Sequence, residues 1–210
     1  MSKTIKVDLG NKESWVECLD EVSAAVKRGW VLVFPTETFY ALGCNGLDAS
    51  PVKNIYELKA RPSMKPLLLL ISGPEELPSL VKEIPDPGKK LMEAFWPGPL
   101  TLIFKASALA PALVTGGTGK IGIRVPGLQF TREMIKTAGA PLIGTSANVS
   151  GKPDASNIKD AISDFGEGVG LYLDAGTLEG GAPSTVVDVS GGRPLLVREG
   201  RITKAMIEKY

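Results

Sequence analysis

Short apolar runs bounded by proline or glycine alternate with amphipathic helical stretches along nearly the whole chain, and no purely apolar run exceeds five residues. A run that short makes a strand covered on both faces and is too short for a buried helix. Residues 31–34 (Val-Leu-Val-Phe) are stopped by Pro35, and residues 67–71 repeat the pattern. Further strands are expected over 100–105, 121–125, 142–144, 171–174, 185–189 and 195–198. Between them, Trp15, Leu19, Val22 and Val26 recur at helical spacing and predict a helix over 11–28 closed by Gly29. Ser50 and Pro51 supply a cap and first turn for a helix that carries Ile55 and Leu58 inward and must end near Arg61, because Pro62 follows. Helices are also expected over 89–95, over 131–138, over 158–165 with Ser156 as the N-cap, and from Thr203, while 73–88 reads as a polar connection. No repeat or low-complexity segment occurs. The alternation predicts a single α/β domain over 1–210, a twisted, mixed parallel and antiparallel sheet flanked by helices.

The 210 residues carry 24 Lys and Arg against 23 Asp and Glu, for a net charge of +1, so nothing marks the whole chain as an electrostatic nucleic-acid binder. The apolar runs are far from the roughly 20 residues of a membrane helix, and the start MSKTIKVDLG lacks the apolar segment of a secretory signal, so a soluble, cytoplasmic protein is expected. Cys18 and Cys44 stand far apart and suggest neither a disulfide framework nor a zinc site. Histidine is absent. That removes Ser-His-Asp and Cys-His nucleophiles, His-ligated metals and imidazole acid-base chemistry together.

Three motifs match only by letter. Gly117, Gly119 and Gly122 spell a dinucleotide fingerprint, but Ile123 to Pro126 read as a strand where a helix must open. Gly119-Lys120 lacks the hydroxyl residue of a phosphate-binding loop, since Ile121 follows. Gly144-Thr145-Ser146 lacks the closing glycine and the histidine of a nucleophile elbow.

More informative are the cations Lys59, Arg61 and Lys65 at a helix terminus stiffened by Pro62, from which they can converge on a phosphate chain; alone, they also read as solvated charges favoured by the helix dipole. Ser146 and Asn148 follow a strand end, where α/β proteins bind ligands and where turns also satisfy their own backbone. The same pair of readings holds for Pro35-Thr36-Glu37-Thr38. Arg124, between Ile123 and Val125, is costly in a strand unless it is paired or faces a site, and the site is the expectation.

Pro35-Thr36-Glu37-Thr38-Phe39-Tyr40-Ala41-Leu42-Gly43, Lys59-Ala60-Arg61-Pro62, Trp96-Pro97-Gly98-Pro99-Leu100-Thr101, Ile123-Arg124-Val125-Pro126 and Thr145-Ser146-Ala147-Asn148-Val149-Ser150-Gly151 occur in the order that characterises the YrdC-domain family. The resemblance spans about residues 12–198, and its Lys-x-Arg and Ser-x-Asn pairs resemble those of the family's threonylcarbamoyl-AMP synthases. It implies a nucleotidyltransferase that condenses L-threonine, bicarbonate or carbon dioxide, and ATP into threonylcarbamoyl-AMP and pyrophosphate, towards N6-threonylcarbamoyladenosine in tRNA. By the same resemblance Lys59 and Arg61 would be catalytic. Arg61, Lys65, Lys120, Asn148, Ser156 and Arg198 would contact ATP, and Thr36, Arg124, Ser146 and Ser184 would hold threonine. Mg²⁺ is expected with ATP, without a metal site of the protein's own, and downstream tRNA-modification proteins are the implied partners.

Such chemistry suits a chain without histidine, because a carbamate is already an oxygen nucleophile and its attack on phosphorus needs positioning and charge neutralisation more than a base. Many relatives carry a histidine a few residues beyond the Lys-x-Arg corner, where this chain has the leucines that end in Leu70, which leaves another amino-acid acceptor open. The chain also resembles the family's short form, so closure over a product is expected from loops such as 174–184. A rival reading is an RNA-binding or RNA-maturation module, in which the same cations follow a phosphate backbone and contact RNA weakly; the neutral net charge and the lack of an aromatic platform count against it.

Overall fold

The computed structural model describes residues 2–62 and 64–210. In chain order the strands are β1 (Lys3–Lys6), β2 (Leu32–Phe34), β3 (Ala41–Gly43), β4 (Leu68–Leu70), β5 (Leu100–Lys105), β6 (Lys120–Arg124), β7 (Leu142–Ile143), β8 (Thr145–Ser146), β9 (Leu171–Asp174), β10 (Thr185–Asp188) and β11 (Leu195–Arg198). The helices are α1 (Trp15–Lys27), α2 (Ala49–Leu58), α3 (Leu77–Leu80), α4 (Asp86–Phe95), α5 (Ala112–Thr115), α6 (Gln129–Ala138), α7 (Ile158–Phe165) and α8 (Lys204–Ile207). The expected single sheet is two mixed sheets, ordered β1-β9-β2-β3-β8 and β11-β10-β5-β6-β4-β7.

The division falls at Gly144. β7 pairs antiparallel with β4 in the second sheet, and β8 pairs antiparallel with β3 in the first, so the chain changes sheets across one residue. A Cβ at Gly144 would sit 2.6 Å from Leu70 Cγ, and one at Gly43 would sit 2.0 Å from the Ile143 carbonyl, so the two sheets meet more closely there than any side chain permits. Backbone hydrogen bonds stitch the seam, among them Ile143 N to Cys44 O and Gly46 N to Pro141 O, both at 2.9 Å.

Alternation along the first sheet divides its residues between two cores, since successive side chains leave opposite faces of a strand. Leu32, Phe34, Ala41, Leu171 and Leu173 face α1 and α6, where Trp15 and Phe130 meet edge to face with centroids 5.3 Å apart. Val33, Leu42 and Tyr172 face the larger core, with Leu69, Leu102, Phe104 and Ile123 of the second sheet.

Boundaries shift where the capping chemistry was misread. Asp48, not Ser50, caps α2, its carboxylate accepting from Ser50 N at 2.9 Å. Asn157, not Ser156, caps α7, its amide oxygen accepting from Asp160 N at 3.1 Å. In both cases the residue with a local acceptor two or three positions before the first free amide wins. β1, β3, β8 and the short helices α3 and α5 were not anticipated; β1 is largely exposed on an edge and shows no apolar run.

Candidate active site

α2 ends at Leu58, three residues before Arg61. Arg61 N donates to Tyr56 O and Ala60 N to Glu57 O, with Ala60 in the left-handed region at φ 47°. This is a Schellman closure with alanine where glycine is usual. Because the chain reverses at Ala60, Lys59 and Arg61 diverge rather than converge. Arg61 reaches a cavity of about 550 Å³ that is walled by both sheets. Its Nη2 donates to Pro66 O at 2.9 Å. Lys59 is buried, and its ammonium donates to Ser146 O at 2.5 Å, Asn148 O at 2.6 Å and Asn148 Oδ1 at 3.2 Å. Burial and the neighbouring Arg61 charge pull its pKa down to about 8, against the opposing pull of Asp154 and Asp164. At neutral pH it remains an ammonium, with three donors for three acceptors.

The cavity wall brings together Thr36, Arg61, Lys120, Arg124, Ser146, Ser184 and Arg198. Arg124, on β6, is 5% exposed. Its Nε donates to Gly98 O at 3.2 Å, and its Nη2 lies 2.6 Å from Glu37 Oε1 as an ion pair. The charge is thus both paired and at a site. Glu37 Oε1 also accepts from Gly127 N at 2.8 Å. Burial pushes the Glu37 pKa up, but the Arg124 charge and the Gly127 amide outweigh it and hold the carboxyl below its ordinary value.

Other cations on the wall are held less tightly. Lys120 pairs with Asp188 at 2.8 Å, and Asp188 also accepts from Ser190. Arg198 donates to Ser184 O at 2.8 Å and to Ser184 Oγ at 3.3 Å. Thr36 faces the cavity, yet its hydroxyl donates to Phe39 O and accepts from Thr38 N and Phe39 N within its own turn.

Four predicted residues lie off this wall. Besides Lys59, Lys65 is exposed beside it, and Ser156 offers its carbonyl to Leu178 N. Asn148 borders a smaller, neighbouring cavity of about 320 Å³ together with Lys152 and Asp164. Sequence reasoning missed Glu37 as the partner of Arg124, and missed Asp154 and Asp188 on the wall. A charge in a strand demands a partner, and Glu37, just past β2 in the other sheet, is that partner. Among the described residues no three potential ligands cluster as a metal site.

A cavity between two sheets, with one buried arginine and several half-exposed cations on its wall, is suited to anionic small molecules. The profile of the Sua5/YciO/YrdC family, described as "Telomere recombination", matches residues 24–200, and the chain belongs to that family. It is 38% identical to a threonylcarbamoyl-AMP synthase of Pyrococcus abyssi over 88% of this chain and 54% of that protein. It is likewise 38% identical to the Bacillus subtilis threonylcarbamoyl-AMP synthase over 90% of this chain and 55% of that one. The chain therefore spans about half the length of these curated relatives. The crystal structure of P. abyssi Sua5 complexed with L-threonine superposes with a TM-score of 0.91 at 34% identity, covering all of this chain and 60% of that one.

Proposed function

We propose that the chain is an L-threonylcarbamoyladenylate synthase, using L-threonine, bicarbonate or carbon dioxide, and ATP. The observation that carries the reading is the pairing of a buried, oriented guanidinium, Arg124, with the more exposed cations Arg61, Lys120 and Arg198 around one cavity. The first suits a small carboxylate; the others suit a triphosphate. In the reaction the threonine amine attacks the carbon of carbon dioxide and loses a proton. A carbamate oxygen then attacks the α-phosphorus, and the bond to the bridging oxygen breaks to release pyrophosphate. No step needs imidazole. Thr36, Ser146 and Ser184 complete the amino-acid side. Lys65, beside the wall, adds charge for the phosphates, and Ser156 lies off the wall with its carbonyl held by Leu178 N.

Mg²⁺ enters with ATP in this reading. Asp188 is already engaged by Lys120 and Ser190, and without a carboxylate cluster the phosphates and water supply most of the ligands. Leu70 lies on the cavity wall, so the position where many relatives have histidine presents only methyl groups to the acceptor. The adenylate is passed to tRNA-modification proteins, and a cytoplasmic location belongs to the same reading.

The test is pyrophosphate release from ATP and Mg²⁺, with bicarbonate and L-threonine each added and withheld, and mass detection of the nucleotide product. Release that needs both and yields the threonylcarbamoyladenylate mass is expected. Release only with another amine would change the acceptor, and no release with any would leave a binding role.

A further inference from the structure

We propose that Lys59 and Asn148 are positioning residues for the substrate nitrogen: together they fix the Ser146 hydroxyl as a hydrogen-bond acceptor facing the cavity. The inference rests on the threonine reading above and revises the expectation that Lys59 and Asn148 meet the nucleotide. It follows from donor and acceptor inventory alone. An ammonium only donates, so Lys59, 3.2 Å from Asn148 Oδ1, identifies that atom as the amide oxygen. The other end of the amide agrees, because Asn148 Nδ2 donates to the Lys152 carbonyl, which only accepts. The Ser146 Oγ contact to Asn148 Oδ1 at 2.6 Å then has one polarity, with serine as the donor. Serine has one proton, and it is committed inward. What Ser146 turns to the cavity is a pair of acceptor sites.

A hydroxyl in that state offers nothing to a carboxylate or a phosphate. Its complement is a ligand atom that must donate. In an amino acid bound through its carboxylate to Arg124, that atom is the nitrogen, which carries N–H before carbamate formation and keeps one afterwards. The same contact therefore persists through the chemistry. Lys59 also holds both carbonyls of the turn, at Ser146 and Asn148, and Asp164 holds it from α7 by accepting from Val149 N at 2.9 Å. Hence the turn reaches the cavity already ordered.

Calorimetry on the full chain tests the assignment with three probes: L-threonine, 3-hydroxybutanoate, which keeps the carboxylate and hydroxyl but lacks the amine, and a non-hydrolysable ATP analogue. Lys59→Met and Ser146→Ala are each expected to weaken L-threonine at least tenfold, and the double variant to be no more than twofold weaker than Ser146→Ala alone. 3-Hydroxybutanoate and the ATP analogue should stay within twofold of the parent protein in all three. Weakening of the analogue by Lys59→Met to the extent seen in Arg61→Ala overturns the proposal, and so does additivity of the two substitutions. Should Lys59→Met fail to fold, Asn148→Leu takes its place in the same cycle, with the same expectations. If the parent protein binds L-threonine and the variants behave otherwise than stated, only this inference falls; if the parent does not bind it, the threonine reading falls as well.

Discussion

Arg124 and Arg61 both reach the same cavity, yet the fold treats them differently. Arg124 is 5% exposed, clamped by Gly98 O on one side and Glu37 on the other. Arg61 is half-buried on a loop and rests on one good backbone acceptor. A buried, ion-paired guanidinium selects one planar anion in one orientation, whereas a half-exposed one follows a flexible polyphosphate. The difference separates a recognition wall, set before the ligand arrives, from a rim that adapts to it.

The largest break in that comparison is Arg124→Leu. It should raise the L-threonine requirement at least a hundredfold while changing the ATP requirement much less, as read from pyrophosphate-release kinetics. It also strands Glu37 in the interior, and removing one partner of a buried pair costs about 3–5 kcal/mol, so the melting temperature should drop sharply. Adding Glu37→Gln to Arg124→Leu should recover much of the melting temperature and none of the threonine affinity. Equal effects of Arg124→Leu on both substrates would mean that the wall is not the amino-acid side.

Arg61→Ala should do the reverse on a smaller scale. Its KM for ATP should rise roughly tenfold to a hundredfold, in keeping with a lost charge-assisted contact worth about 1.5–3 kcal/mol, with the melting temperature nearly unchanged. Near-normal turnover in this variant would remove Arg61 from the phosphate side.

Acid sharpens the contrast further, because Arg124 is paired with a largely covered carboxylate whereas Arg61 rests on a backbone carbonyl. The Glu37 pKa is held below its ordinary 4.5, so its contribution to stability is complete above that value and is lost as pH falls through the depressed native one. The parent protein should therefore lose more stability than Glu37→Gln as pH falls below about 4.5, as measured by urea unfolding at a series of pH values. Parallel losses in the two proteins would show that the pair contributes nothing net.

How much of this the sequence disclosed follows from the range of each signal. Strands such as β5 and β11 announce themselves by composition, and helix α1 by its period, because both signals are local. The split into two sheets was not legible: it depends on Gly144 and Gly43 meeting backbone and side chains from distant segments. Arg124 declared its unusual place through its strand neighbours, but its partner Glu37 lies 87 positions away and only the fold supplies the pairing. For Lys59 the helix terminus was readable and the direction of the side chain was not. A left-handed Ala60 reverses the chain between two cations that stand next but one in sequence.

That residue gives the smallest and most local prediction. The left-handed region costs an L-residue with a Cβ about 1–2 kcal/mol, and glycine escapes that penalty while losing more backbone entropy on folding. At the C′ position of a Schellman closure the first effect outweighs the second, so Ala60→Gly should stabilise the protein by about 1 kcal/mol, or roughly 2–4 °C in melting temperature for a chain of this size. Kinetics decide what the alanine is for. If the closure alone aims Arg61 and Lys59, the glycine variant keeps both substrate requirements, since its backbone has no reason to leave the same well. A rise in the ATP requirement without a rise in that for threonine would show that the Ala60 methyl stiffens the rim. The line between a fixed wall and an adapting rim would then run between Ala60 and Arg61.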